Sequence, residues 1–147
     1  MKKIARGRAF RLALSAALAG TFGVAAAVAS PQAALAATPH CNAETYYRST
    51  QIDRNVWLPG YGSNRVCQLS TGDSGDGVRS LQVALVQCYS KGISVDGIFG
   101  PATASALRQA QSTAGTGADG IYGTNTRKAL KFPIAGDDAD RSCYRTS

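Results

Sequence analysis

The chain has 147 residues, with 16 Lys and Arg, 9 Asp and Glu and one His. Five of the basic side chains lie before residue 37, so the remaining 111 residues carry 11 basic and 9 acidic side chains. This near balance of charge removes the main support for nucleic-acid binding, which needs a basic patch. The length of the remaining chain suffices for one small domain.

Residues 1–36 have the composition of a secretory signal peptide. Basic side chains precede an apolar run over residues 12–29, and Ala34-Leu35-Ala36 supplies the small residues of a cleavage site, with Ala27-Val28-Ala29 as a second candidate. A membrane-anchoring helix is the alternative, because an 18-residue run nearly spans a bilayer. The Ala-rich run and the small residues after it favour export. We therefore expect a secreted, extracellular or cell-wall-associated protein without stable membrane insertion after cleavage.

Residues 37–70 form an N-terminal extension that is not helical in pattern. Strand-like residues over 45–48 and 55–58, followed by a turn at Pro59-Gly60, predict a short irregular β-ribbon. Its aromatic side chains suit either packing over a small core, which we favour, or a platform on which sugars stack. These side chains are Tyr46, Tyr47, Trp57 and Tyr61.

All four cysteines follow the signal peptide, which in an exported chain indicates two disulfides. Three connectivities are open, and we favour Cys41–Cys67, which closes the extension, and Cys88–Cys143, which tethers the tail at residues 134–147. A zinc site using His40 and Cys41 is the alternative. Adjacent residues suit two ligand positions poorly, and no C-x-x-C spacing occurs, so we expect no metal.

Three helices are predicted after the extension. The first has Ser74 as its N-cap and an inward stripe formed by Val78, Leu81, Leu85 and Cys88. The second begins at Pro101 and runs to about residue 113, ahead of Gly115. The third runs from Thr124 to about Lys131, because the residue before a proline is disfavoured in a helix.

A 12-residue stretch occurs twice, at 96–107 and at 119–130, with seven identical positions. Each copy predicts a tight Asp-Gly turn, an inward aromatic residue and a glycine that leads into a helix. We assign these turns a structural role. The turn residues are Asp96, Gly97, Gly100, Asp119, Gly120 and Gly123.

About residues 71–132 contain three motifs in the order V-x-x-L-Q-x-x-L, V-D-G-x-F-G-x-x-T and D-G-x-x-G-x-x-T. Together these motifs resemble the peptidoglycan-binding domain of bacterial cell-wall hydrolases. The resemblance implies a mainly α fold, a small three-helix bundle at 71–133 that carries the disulfide-closed, partly β extension. It also implies binding of wall polymer, usually beside a separate catalytic domain. Ala110 and Thr116 depart from the family pattern and remove core volume, and we expect Phe132 or Trp57 to fill the gap.

Members of this family are thought to bind their ligand in a groove between helices, bordered by the two turns. That resemblance implies five candidate contacts: Arg79, Gln82, Tyr122, Asn125 and Arg127. For Arg79 and Gln82 we favour the alternative that they lie on an ordinary solvent-exposed helix face and contact no ligand. An acid pair made of Asp96 and Asp119 is discounted as a glycosidase site, because each carboxylate is needed in its own turn.

We predict a non-catalytic module that binds peptidoglycan through its glycan or its stem peptide. The single histidine lies beside a cysteine, and neither a Ser-His-Asp nor a zinc hydrolase site can be assembled. No catalytic residue, cofactor or nucleic-acid partner is expected, the default state is a monomer, and a separate cell-wall hydrolase is left open as a partner. The alternative is a secreted protein-interaction or inhibitor domain that keeps the fold without wall affinity.

Overall fold

The structure is a computed structural model, and it describes residues 37–49, 52–136 and 142–146. The predicted signal peptide lies outside the described residues. Residues 35–147 form one compact unit. None of the helices in the described ranges is both long and apolar enough to span a bilayer.

The extension forms a β-hairpin of β1 (Ala43–Ser49) and β2 (Arg54–Gly60), paired antiparallel with Tyr46 opposite Trp57. Exposure alternates along β1, as expected of a strand with one face on the core. Val56 and Leu58 are fully buried on the inner face, whereas Tyr46 is 61% exposed on the outer face. The predicted ribbon is therefore a regular hairpin, and its aromatic residues do not share one packing role.

Helix α1 (Asp76–Tyr89) begins two residues later than the predicted cap. Gly75 is the N-cap with φ 108°, no side chain caps the helix, and Ser74 instead pairs with Ile98 in a β-bridge. The assignment of Ser74 as N-cap is wrong because the backbone here is committed to the neighbouring turn, where Gly75 N–H donates to the Gly97 carbonyl at 2.9 Å. The helix ends at Ser90, which has a left-handed backbone.

Helix α2 (Pro101–Ala114) starts and stops as its sequence indicates, with Pro101 in the first turn and Gly115 as a left-handed C-cap. Helix α3 (Thr124–Ala129) is shorter than predicted. Leu130 is extended, with ψ 158°, so the chain leaves the helix before Lys131. Pairing with the tail, which a local pattern does not reveal, ends this helix.

Two short strands follow, β3 (Lys131–Pro133) and β4 (Cys143–Arg145), in a second antiparallel sheet. Both favoured disulfides are present: Cys41–Cys67 within the extension and Cys88–Cys143 between α1 and the tail. The second spans 55 residues, and a loop of that length corresponds to about 4 kcal/mol of stabilisation in the chain-entropy model.

The core joins the hairpin, the helices and β3. Its largest fully buried side chains are Tyr122, Phe99 and Phe132. Phe132 lies in the same buried cluster as Ala110 and packs edge-on against Tyr122, with ring centroids 6.4 Å apart. Phe132 is thus part of the core beside Tyr122, and its filling of the volume lost at Ala110 stays a prediction.

Candidate functional site

The first Asp-Gly turn is held by a buried glutamine of α1. Gln82 Nε2 donates to Asp96 Oδ1 at 2.8 Å, to the Ile98 carbonyl at 3.0 Å and to Thr103 Oγ1 at 3.1 Å. Its Oε1 accepts from the Gly97 N–H at 2.8 Å. We call this set of bonds the first turn lock. It ties the turn to α1 and to the start of α2.

The second turn has an equivalent lock centred on Gln111 of α2. Gln111 Nε2 donates to Asp119 Oδ1 at 2.8 Å and to the Ile121 carbonyl and Thr126 Oγ1, both at 3.0 Å. Its Oε1 accepts from the Gly120 N–H at 2.8 Å. We call this the second turn lock. The two copies therefore use a helix glutamine to satisfy the turn that precedes the next helix.

An arginine three residues before each glutamine lies over each turn. Arg79 Nη1 donates to the Val95 carbonyl at 3.1 Å, and a Cβ on Gly97 would lie 3.5 Å from Arg79 Nη2. A Cβ on Gly120 would lie 2.9 Å from Arg108 Nε. Both glycines have φ 76°, a backbone conformation that favours glycine, and at Gly120 a Cβ would also have to displace the Arg108 side chain.

Both turn carboxylates have lowered pKa values. Hydrogen bonds from Gln82 and then from the Ile98 N–H lower the pKa of Asp96, whereas the Ile121 N–H contributes most at Asp119, with Gln111 adding to it. Hydrogen bonds to a carboxylate favour its ionised form. Each turn therefore holds a fixed negative charge at neutral pH, close to an exposed arginine.

Residues 69–75, which we call the connecting segment, join the two turns. Leu69 exchanges two backbone hydrogen bonds of 2.9 Å with Tyr122 in the second turn. Farther along the segment, Asp73 accepts from the Phe99 N–H at 2.9 Å in the first turn. Four residues of extended chain span at most about 14 Å. The two turns are thus held on one short stretch of backbone.

The turns also expose matched apolar side chains. Ile98 is 59% exposed and Ile121, its counterpart in the second copy, is 44% exposed. Next to the first turn lies a small cleft of about 160 Å³, lined in part by Ser94, Asp96 and Ile98. We define the double-turn surface as Arg79, Ile98, Arg108 and Ile121. Each copy contributes one exposed isoleucine and one exposed arginine to this surface.

Comparison with known proteins identifies the segment that contains both turn locks. Residues 74–130 match the family model described as "Putative peptidoglycan binding domain". This segment is therefore similar to the domain of that family. It begins within the connecting segment and ends just after α3, so the hairpin, β3 and β4 lie outside it.

Several proteins are similar to part of this chain. The N-acetylmuramoyl-L-alanine amidase CwlL of Bacillus licheniformis is 43% identical over 63 residues, which is 39% of this chain and 18% of that protein. The zinc D-Ala-D-Ala carboxypeptidase of Streptomyces albus G is 40% identical over 72 residues, 48% of this chain and 28% of that protein. An uncharacterised protein in the bpoA1 3' region of Kitasatospora aureofaciens is 42% identical over 65 residues, 44% of this chain and 55% of that protein.

This chain therefore spans between about a fifth and somewhat over half of the length of these curated relatives. A crystal structure of a peptidoglycan-binding protein from Clostridioides difficile, in complex with glutamine hydroxamate, aligns with a TM-score of 0.44 and 23% identity. The alignment covers 56% of this chain and 53% of that one.

Two of the five predicted ligand contacts are buried in the family domain. Gln82 is 1% exposed and its amide is fully engaged in the first turn lock. Tyr122 is 0% exposed, and burial raises the pKa of its hydroxyl far above the ordinary value. Tyr122 is enclosed, and Gln82 has its amide in the first turn lock although it also lines the small cleft beside the first turn. Both side chains therefore have a structural role, and ligand contact by either one stays a prediction.

The other three predicted contacts are not brought together as one group. Arg79 is exposed over the first turn, and Asn125 is exposed on α3. Arg127 is only half-buried and is engaged by the tail, since its Nη1 donates to Thr146 Oγ1 at 3.3 Å. Of the five, Arg79 alone belongs to the double-turn surface.

Sequence reasoning missed Arg108 and the role of Gln111. The signal was present, because Arg79 and Gln82 recur as Arg108 and Gln111 at an offset of 29 residues. The turns recur at an offset of 23, since Asp96 follows Gln82 by 14 residues whereas Asp119 follows Gln111 by 8. An unequal spacing of this kind hides a helix residue from a search for a single repeat length.

Among the residues that the structure describes, the other titratable groups offer no metal centre. His40 Nδ1 lies 2.6 Å from Asp73 Oδ1, and Cys41 is in a disulfide. Within the described ranges, no cluster of three or more His, Cys, Asp or Glu side chains could hold a metal ion. The lowered pKa values of Asp96 and Asp119 are opposite to the raised value that a general acid needs.

Proposed function

We propose that this protein is an exported, non-catalytic module that binds bacterial cell-wall peptidoglycan. The observation that carries the proposal is the family match over residues 74–130, together with two fully formed turn locks inside it. Two of the relatives that share the segment are named as an N-acetylmuramoyl-L-alanine amidase and a D-Ala-D-Ala carboxypeptidase. A cell-wall location follows from this proposal.

The double-turn surface is the wall-contacting region in this proposal. The exposed side chains of Ile98 and Ile121 suit the apolar faces of sugar rings or the methyl groups of wall peptides. Arg79 and Arg108 donate hydrogen bonds in a planar fork, which fits carbonyl and carboxylate oxygens of the polymer. The repeated pairing of an isoleucine with an arginine suits a polymer whose own units repeat.

The buried side chains support this surface without contacting the wall. Gln82 and Gln111 fix the turn backbones, so the exposed isoleucines start from a rigid frame and lose little conformational freedom on binding. The three helices and both turns then form the family's three-helix domain at 71–133. The extension and the tail, closed by the two disulfides, brace that domain in a monomer.

The absence of catalysis is part of the proposal and rests on the chemistry of the chain. Its single histidine pairs with Asp73, and both turn carboxylates are committed to hydrogen bonds. Any cleavage of the wall would then come from a separate hydrolase. An assay of muropeptide release from purified sacculi tests this part, and product formation above a buffer control would contradict it.

Co-sedimentation with purified sacculi tests the binding, using a chain that starts at Ala37 because residues 35–147 are one compact unit. We expect the protein in the pellet, and we expect an Ile98→Ser/Ile121→Ser variant to bind at least about tenfold more weakly. Loss of about 1.4 kcal/mol of apolar burial suffices for that factor. Val66→Ser is the matched control, since Val66 is 50% exposed and lies outside the family segment.

Two results would contradict the proposal in different ways. If the unaltered protein stays in the supernatant, wall binding is wrong and the alternative of a secreted protein-interaction or inhibitor domain gains. If the protein sediments and the Ile98→Ser/Ile121→Ser variant sediments equally well, wall binding stands and the double-turn surface is the wrong assignment. Circular dichroism of each variant establishes that the fold is retained.

A further inference from the structure

A second, larger cleft lies where α1 and α2 end. Its volume is about 410 Å³, within the range of small-molecule sites. The side chains that line it are Cys88, Tyr89, Ser90, Thr113, Ala114, Lys131 and Arg145. We call it the helix-end cleft. Lys131 and Arg145 both lie outside the segment that matches the family, so the two cationic side chains of this cleft come from parts that the family segment does not include.

The helix-end cleft is positively charged. Lys131 and Arg145 are directly opposite each other in the register of β3 and β4. Like charges at opposite positions of an antiparallel pair are destabilising, so this pair costs stability unless an anion or helix carbonyls lie between them. Neither cation has a carboxylate partner within 4 Å among the described residues, and the lining contains no acidic side chain.

A tyrosine adds a hydrogen-bond donor at the same place. Tyr89 Oη accepts from the Lys131 N–H at 2.8 Å, which leaves the phenolic proton available to a ligand. Burial raises the pKa of Tyr89, although the nearby charge of Arg145 acts in the opposite direction, so the hydroxyl remains protonated at neutral pH. Three donors of different kinds, an ammonium, a guanidinium and a phenol, thus line one cleft.

The two helix ends supply acceptors. The last carbonyl groups of an α-helix have no partner within the helix and carry partial negative charge. The last residues of α1 and α2 line this cleft, and neither helix has a basic residue in its last turn. The cleft therefore offers carbonyl oxygens to N–H groups next to cations that suit a carboxylate. A multiply charged phosphate would meet the same two negative helix ends.

We propose that the helix-end cleft binds the free carboxylate end of a short peptide, with Lys131, Arg145 and Tyr89 on the carboxylate and the helix carbonyls on the peptide N–H groups. Ala114 is a small apolar residue of the lining, which suits a small terminal side chain such as a methyl group. Under the proposed function, on which only the source of the peptide rests, this ligand is the end of a wall stem peptide.

The disulfide gives the cleft its geometry. Cys143 starts β4, and Arg145 stands two residues later on the same three-residue strand. Because Cys88 in α1 lines the cleft, the Cys88–Cys143 bond holds the strand that carries Arg145 against the helix that carries Tyr89. The tail thus forms one side of the helix-end cleft.

The competing explanation is that Lys131 and Arg145 only offset the charge of the two helix ends. That role predicts lower stability for Lys131→Gln and Arg145→Gln without any effect on a ligand. Peptide binding predicts an effect on affinity in addition. The two explanations therefore differ in a measurement that does not depend on folding.

Titration of ¹⁵N-labelled protein with N-acetyl-D-Ala-D-Ala, monitored by backbone amide shifts, tests the proposal. We expect shifts at Ser90, Thr113, Lys131 and Arg145, and at least about tenfold weaker binding of the same dipeptide with a C-terminal amide. Lys131→Gln and Arg145→Gln should each weaken binding by a similar factor, which corresponds to about 1.4 kcal/mol. Lys128→Gln removes an exposed charge outside the cleft and should leave the affinity unchanged.

Several outcomes would overturn the proposal. These are the absence of shifts at about 10 mM peptide, where even millimolar binding is detected, equal binding of acid and amide, or unchanged affinity in both Gln variants. Inorganic phosphate that binds as tightly as the dipeptide would make the cleft a general anion site. Sacculus binding is a separate readout: dipeptide binding by a protein that does not sediment would refute the proposed function and leave the cleft assignment standing.

Discussion

Gln82 and Gln111 make the same four hydrogen bonds to two different turns, each from a position that is fully buried. A polar side chain is inexpensive to bury only when its donors and acceptors are satisfied. In each lock the amide satisfies a turn carboxylate, a turn carbonyl and a turn N–H. The stability of the turn and that of the helix beneath it are therefore coupled.

Gln111→Ala tests this coupling. The substitution leaves the Gly120 N–H and the Ile121 carbonyl without their buried partner, and we expect the free energy of unfolding to fall by about 3 kcal/mol or more. Urea denaturation measures the change. Gln109→Ala, at an exposed position on the same helix, should stay within about 0.5 kcal/mol of the unaltered protein. A loss below about 1 kcal/mol for Gln111→Ala would show that the lock does not hold the turn.

Gln111→Glu keeps the shape of the side chain and replaces its donor with a carboxylate next to Asp119. Burial and the charge of Asp119 should raise the pKa of the new group in the folded state above about 4.3, its value in the unfolded chain. The penalty is then present above the raised pKa and is relieved as the pH falls through it. We expect the difference in unfolding free energy from the unaltered protein to shrink between pH 7 and about pH 4, and a constant difference would contradict this reasoning.

The lowered pKa values of Asp96 and Asp119 make the protein sensitive to acid. Both folded pKa values lie below that of unfolded Asp, about 3.9, so the unfolded state binds more protons in that range. Their contribution is fully present above about pH 4 and is lost as the pH falls through the folded values. Asp96→Asn/Asp119→Asn should flatten this dependence in thermal melts. A curve of unchanged steepness would argue against the assignment.

Gly77 marks the place where the extension rests on α1. A Cβ there would lie 2.9 Å from the Cys41 carbonyl oxygen, and that backbone is fixed by the Cys41–Cys67 disulfide. Gly77→Ala should therefore destabilise by about 1–3 kcal/mol, against the usual preference of a helix for alanine. Gly92→Ala meets nothing within 4 Å and should be neutral within about 0.5 kcal/mol in the same denaturation experiment. Equal effects at both sites would contradict the contact.

Tyr122 and Tyr89 differ in whether their hydroxyl groups are hydrogen-bonded, so their Phe variants can be compared. Tyr122 Oη is buried without a hydrogen-bond partner among the described residues, whereas Tyr89 Oη accepts from the Lys131 N–H. Tyr122→Phe should leave the free energy of unfolding unchanged or raise it, because a buried polar group is removed at no loss of a bond. Tyr89→Phe should lower it by about 1 kcal/mol. The reverse order in denaturation midpoints would refute this account of the core.

Local signals in the sequence predicted much of the fold. The proline and glycine that bound α2 act through their own backbone preferences, and the alternation along β1 reflects one buried face. Both favoured disulfides are found in the structure. Each of these features depends on residue type and on near neighbours, which a sequence displays directly.

The errors concern residues whose environment is set by distant parts of the chain. A glutamine beside the apolar stripe of a helix is normally solvated, and only the turn 14 residues later makes burial of Gln82 favourable. The end of α3 depends on β4, which pairs with residues that would otherwise continue the helix. The exposed isoleucines and Arg108 likewise gain their arrangement from the turns, so the candidate surface was less predictable than the fold that presents it.

The connecting segment has a consequence for anyone who wishes to transplant this module. The family match begins at residue 74, yet Leu69 and Asp73 supply backbone partners to both turns, and Asp73 and Gln68 are in turn held by His40 and Cys41. A graft cut at the edge of the family match would leave the Tyr122 backbone and the Phe99 N–H without these partners. The smallest portable unit therefore starts in front of the extension, at about Pro39, and a donor fragment chosen by homology alone would be too short.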